Sequence, residues 1–233
     1  MKSNSTTRKH AGPSLVALAL VYLALFIASI VAGTTLRHGG PGYVNPCDTA
    51  EAVQAFFTRS PEATRAAAFF FFGSAIPLGI YAATVSSRLR FLGVRAAGTY
   101  IALFGGFAAA GTLLLSSLCA WVISVPEVYG SLPTVRAFYW LLFLLGGAAF
   151  AASLGLLIAG VAVTSMFARL LPKWLIWFGL VIAFAGELST LSLIAYPATF
   201  LIPITRFGGF IWLIAAGAML PKTVPAGDGA ENL

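Results

Sequence analysis

The stretch Leu15–Ala32, LVALALVYLALFIASIVA, runs for 18 residues without a charge. At 1.5 Å per helical residue it covers about 27 Å, close to the roughly 30 Å hydrocarbon core of a bilayer. Five more stretches of this kind follow, and the six run approximately Ser14–Leu36, Arg65–Val85, Arg95–Val125, Thr134–Phe167, Trp174–Tyr196 and Ala198–Leu220. The third and fourth exceed what a perpendicular crossing needs, so they are expected to tilt or to project beyond the bilayer. Of the 233 residues 59% are hydrophobic and 9% charged, and the mean hydropathy is +0.92, which excludes a water-soluble globular domain. The predicted fold is therefore all-α, one domain over residues 1–233: an integral membrane bundle of six transmembrane helices. A cleaved signal peptide is the competing reading of the first stretch. Its apolar core is longer than the usual 7–15 residues, so it is taken as an anchor.

Orientation follows from the cations. With the N-terminus in the cytoplasm, Lys2, Arg8, Lys9, Arg88, Arg90, Arg95, Arg169, Lys173 and Lys222 lie inside and Arg37, Arg59, Arg65, Arg136 and Arg206 lie on the outer half. Nine against five supports both termini inside, with residues 221–233 as a cytoplasmic tail, as an even number of spans requires. The expected location is a bacterial inner membrane. Trp121, Tyr129, Tyr139, Trp140 and Tyr196 then form an outer aromatic belt, and Trp174 and Trp177 an inner one. The net charge of +7 comes from loop ends rather than a basic, aromatic-interleaved face, so nucleic acid is excluded as a partner. The partner is the lipid bilayer.

Helices in lipid associate through close packing, so small residues mark the contact faces. Gly98, Ala102, Gly106 and Ala110 recur every fourth position, as do Gly147, Ala151, Gly155 and Ala159. Pro77 removes an amide donor in the second span and predicts a kink, with Ser74 at hand to satisfy the freed carbonyl of Gly73. The outer loop, residues 37–64, is predicted to carry a short amphipathic surface helix over Thr49–Thr58, capped by Asp48 or Thr49. Such a helix is either a lid over a cavity or a cover for helix ends. Cys47 in this loop and Cys119 near the outer end of the third span fall on the oxidising side. A Cys47–Cys119 disulfide is expected, since a redox pair would show C-x-x-C spacing.

Glu187 is the one acid well inside a span, and an intramembrane carboxylate is costly unless paired or wet. Gly179 and Ala183 precede it at intervals of four and predict that it faces the bundle interior. If the last two spans turn near Tyr196-Pro197, Glu187 and Arg206 share a depth and are expected to pair. With Arg136, Arg37 and His38 approaching from the outer surface, these residues form either a polar pocket for an anionic or amphipathic ligand or a buried ion pair that sets helix register. No catalytic motif, metal site or cofactor is predicted: two histidines, His10 and His38, lie on opposite sides, and no Gly-rich phosphate loop or G-x-S-x-G elbow occurs. Three functions stay open: a non-enzymatic membrane protein binding a small amphipathic or lipid-like ligand or a partner from the outer side, a membrane-embedded lipid enzyme using Glu187 as acid or base, and a structural subunit.

Asp48-Thr49-Ala50, the stretch Phe167–Gly179 (FARLLPKWLIWFG) and the spaced Pro203, Trp212 and Gly217 resemble an uncharacterised bacterial family of six-transmembrane-helix proteins, a domain of unknown function. The resemblance implies the six-helix fold over nearly the whole chain and supplies no activity or catalytic residue. Members carry an acid near the head of the last helix, where this chain has Arg206.

Overall fold

The protein is described by a computed structural model over residues 7–225; Lys2 and residues 226–233 of the expected tail lie outside the described residues. Six helices are long and apolar enough to cross a membrane, which makes the chain a multi-pass membrane protein. The first is α1 (Leu15–Thr35), entered through Ser14, whose hydroxyl accepts from the Ala17 amide. A loop leads to the surface helix α2 (Ala50–Arg59) and then to α3 (Pro61–Phe91) and α4 (Gly98–Ile123). A single turn, α5 (Pro126–Tyr129), precedes the fourth span, built of α6 (Leu132–Leu144), a π-turn over Leu145–Ala149, and α7 (Phe150–Phe167). The fifth span is α8 (Lys173–Leu188) tightening into a 3₁₀ turn over Ser189–Leu193. A second 3₁₀ turn, Tyr196–Phe200, opens α9 (Leu201–Met219).

Each span packs against its neighbours in sequence, and α9 returns to α1, so the helices close a ring around a common core. The two chain ends meet in a short antiparallel ribbon of β1 (Thr7–Lys9) and β2 (Thr223–Pro225), extended by the His10 amide donating to the Lys222 carbonyl at 2.9 Å. This places them at one end of the bundle, here the termini end. The opposite, loop end carries α2, α5 and the segment from Arg37 to Ser60.

The second span is longer than its apolar run predicts. Pro61 at the first helical position and Glu62 in the first turn start α3 before Arg65, and Arg88 and Arg90 in its last turn suit the negative end of the helix dipole. Pro77 lies inside this helix, but the Ser74 hydroxyl donates to Phe71 O at 2.6 Å rather than to the Gly73 carbonyl. α2 starts at its Thr49 cap as expected and is a cover for helix ends: Val53 and Phe57 are buried against Ile123, Val135 and Tyr139. Tyr139 therefore leaves the expected aromatic belt for this buried cluster, with its hydroxyl on the Val44 carbonyl.

The small-residue ridges are contact surfaces, with a changed membership. A methyl on Gly160 would lie 2.6 Å from both the Ala102 amide nitrogen and the Gly98 carbonyl oxygen, and one on Gly105 would lie 2.5 Å from the Leu157 amide. Gly106, assigned to the same stripe, turns instead to α3, where Ala82 fills the space beside it. Across α7 and α8, Gly155 faces the Ala183 carbonyl and Gly186 faces the Ala151 carbonyl.

The cysteines are both free, which corrects the expected disulfide. Asn45 Oδ1 accepts from the Cys47 amide in a tight turn that leaves Cys47 exposed. Cys119 is buried within α4, and Ile123, one turn nearer the loop, belongs to the cluster beneath α2.

Two measurements check this packing. Gly160→Ala should lower stability by about 1–3 kcal/mol, since the added methyl meets backbone, whereas Gly111→Ala, with open space around it, should be neutral or gain up to about 1 kcal/mol from helix propensity. Thermal unfolding in detergent compares the two. In folded protein a hydrophilic maleimide should label Cys47 and spare Cys119 until the protein is denatured; a Cys47–Cys119 peptide recovered without reductant would contradict the arrangement.

Candidate functional site

Thr205 on α9 sits opposite Gly186 on α8, with its Cγ2 3.2 Å from where a methyl on that glycine would be. Glu187 and Arg206 thus belong to facing turns, as the hairpin spacing predicts. Their side chains nevertheless diverge, and the expected ion pair is absent. Steps of four residues advance about 40° beyond a full helical turn, so two steps from Gly179 carry Glu187 about 80° off the packed face. Glu187 is exposed at the rim of the α7–α8 seam, beside Gly155, and Gly186 takes the buried position. It lines neither of the two cavities described below.

Arg206 turns the other way. Its Nη2 donates to the Gly146 carbonyl within the π-turn, and its guanidinium carbon lies 4.5, 5.2 and 5.6 Å from the ring centroids of Phe150, Phe26 and Phe71. Among the described residues no carboxylate pairs with it. Three aromatic faces and a backbone carbonyl hold a permanent cation in the membrane-spanning part of the bundle.

This cation forms the floor of a cavity of about 380 Å³ between α4, the π-turn and α9, walled by Phe71, Phe143, Tyr43, Tyr196 and Thr199. The volume lies within the range of small-molecule sites, and the lining is mainly apolar with few polar groups, the usual makeup of a ligand pocket. Arg206 is five residues into α9, about 8 Å from its first residue, so the floor is close to the loop end. The mouth is shaped by the loop. Asn45 Oδ1 accepts from both the Cys47 amide at 2.8 Å and the Tyr196 hydroxyl at 2.7 Å, fixing the loop to the hinge before α9. Tyr43 stands exposed at the rim, its phenol held above the usual range by partial burial and by nearby Tyr196.

The other predicted site residues lie outside the cavity and act as loop fastenings. Arg37 Nη1 donates to Phe56 O at 3.1 Å with its guanidinium 3.6 Å over the Phe56 ring, the His38 amide donates to Ser60 Oγ at 2.9 Å, and Arg136 Nη1 donates to Asp48 O at 3.1 Å. Of the five, Arg206 alone reaches the cavity. The residues missed by sequence reasoning are Tyr43, Phe71, Phe143, Gly146 and Thr199. Their one advance signal is Gly146-Gly147, small residues that admit a side chain from another helix.

No protein-family model matches the chain, and neither does any curated protein or solved structure.

Arg206→Lys should loosen this site without emptying it of charge. A lysine point charge cannot both reach the Gly146 carbonyl and lie flat against Phe150, so the loop-end half of α9 should exchange its amide hydrogens faster than in wild type. Unchanged exchange there would mean that the planar guanidinium is not what holds the π-turn to α9.

Proposed function

We propose that the chain is a non-enzymatic binding protein of a bacterial inner membrane, with both termini in the cytoplasm, that takes a small amphipathic anion from the outer side. The single observation that supports this most is a guanidinium without a carboxylate on the floor of a largely apolar cavity. A charge so placed lacks most of its hydration, and one neutral carbonyl with three rings replaces only part of it. Its retention makes sense if an anion completes the site. A carboxylate or phosphate head would meet Arg206, and an apolar body would lie along Phe71, Phe143 and Ile202. The orientation rests on the cation bias of the loops.

The test separates binding from architecture. If Arg206 is retained for a ligand, Arg206→Met should cost the ligand-free protein in detergent no more stability than Arg206→Lys does, because removing an unpaired charge offsets the lost contacts to the π-turn and the rings. It should also abolish retention of acidic amphiphiles, measured by mass spectrometry of solvent extracts after purification. Equal retention by wild type and Arg206→Met would end the proposal. A structural subunit would instead show marked loss of stability in Arg206→Met and no enriched amphiphile in wild type.

A further inference from the structure

A second cavity, of about 830 Å³, opens at the termini end between α3 and α4 and shares no residue with the Arg206 site. Its polar lining residues are Arg90 at the end of α3, Arg95 in the connection, Ser86, Thr99, and Ser87, whose hydroxyl is bonded to the His10 ring. Ser86 is 4% exposed and Thr99 2% exposed, and neither Ser86 Oγ nor Thr99 Oγ1 has a hydrogen-bond partner. Serines and threonines inside a helix ordinarily donate to the carbonyl a turn back, as Thr84 and Ser117 do here, so the unsatisfied Ser86 hydroxyl on α3 is unusual. Thr99, in the first turn of α4, has no helical carbonyl behind it to take its proton. The guanidinium of Arg90 lies 6.0 Å from the Tyr100 ring centroid, across the groove between the two helices.

The remaining wall is apolar and runs along α4 from Tyr100 through Leu103 to Phe107. α4 has 26 residues, about 39 Å, so its ends reach past a roughly 30 Å hydrocarbon core into the headgroup layers. Thr99, its second residue, is then at headgroup depth. Phe107, about 12 Å further along, lies among acyl chains. Tyr100 and Phe107 are both exposed toward the bilayer.

We infer that this cavity holds the phosphate head of an anionic glycerophospholipid from the leaflet at the termini end, with an acyl chain laid along Tyr100, Leu103 and Phe107. Arg90 meets the phosphate oxygens, the Ser86 and Thr99 hydroxyls donate to the same head, and Arg95 adds positive potential at the rim. A free phosphate would satisfy the polar groups and leave the apolar track uncovered. A zwitterionic lipid would fill the track but bring no net negative charge to the arginines. The inference is independent of the Arg206 site.

The full-length protein, delipidated in detergent, is titrated with phosphatidylglycerol, with phosphatidylcholine and with inorganic phosphate, and bound lipid is counted by native mass spectrometry. Phosphatidylglycerol should bind at least about tenfold more tightly than phosphatidylcholine, and Arg90→Gln should remove most of that preference. Ser86→Ala with Thr99→Val keeps the charge and the packing and removes only unsatisfied hydroxyls. It should weaken phosphatidylglycerol by about tenfold while leaving lipid-free thermal stability unchanged or higher, which keeps the test open even if Arg90→Gln folds poorly. Equal binding of the two lipids would overturn the inference, as would full phosphatidylglycerol binding by the Ser86→Ala/Thr99→Val variant. Inorganic phosphate displacing the lipid at millimolar concentration, with the same stabilisation, would reassign the site to a soluble phosphate.

Discussion

The bundle depends on the contact between α4 and α7, where backbone meets backbone. Lipid offers no hydrophobic gain for bringing helices together, so the attraction must come from dispersion and polar contacts over a short separation. Gly98, Gly105 and Gly160 permit that separation, with no side chain between the Gly160 Cα and the Ala102 amide. Once α4 and α7 are this close, α3 has Gly106 as its seat against α4, and α8 has Gly155 as its seat against α7. The large side chains then fill the interior left by the ring, with Trp212, Tyr22, Tyr81 and Phe150 fully buried. Two of these also join helices through polar atoms: Trp212 Nε1 donates to Leu175 O at 2.9 Å, and the Tyr81 hydroxyl donates to Leu213 O at 2.8 Å.

At the loop end the cations follow a common pattern, bonding carbonyls and rings instead of acids. Arg37 and Arg206 each combine a backbone carbonyl with an aromatic face, and Arg65 donates to both the hydroxyl and the carbonyl of Ser124 at 3.2 Å. Guanidinium suits this use because its plane stacks while its edge donates. The protein thus positions several positive charges without consuming negative ones.

The architecture was legible because span length and charge are properties of contiguous sequence. Six spans, the loop helix with its Thr49 cap, and the shared level of Glu187 and Arg206 follow from counting residues along a helix. What counting does not supply is azimuth. Whether a side chain faces the core depends on which neighbour presents a gap, and Gly186 rather than Glu187 met the α7 backbone. Arg206 was placed on the correct turn and given the wrong partner, because its true partner is a carbonyl and three phenylalanines from three other spans. The cysteine pairing failed for the same reason: both residues are near the loop end, but a two-residue turn at Asn45 aims one outward. The contact of the two chain ends through β1 and β2 had no signal in sequence at all, since three-residue strands carry too few positions to show alternation.

The π-turn at Leu145–Ala149 amounts to one residue more than an α-helical turn needs. It therefore acts as a phase shifter between two halves of one span. Above it, α6 presents Val135 and Tyr139 to the loop cluster; below it, α7 presents Gly155 and Gly160 to two other helices. Removing the extra residue would rotate one half against the other by about 100°, so that no single azimuth could serve both sets of contacts. The loop end and the core are in this sense separately tuned, and the residue that decouples them lies in the turn that meets Arg206.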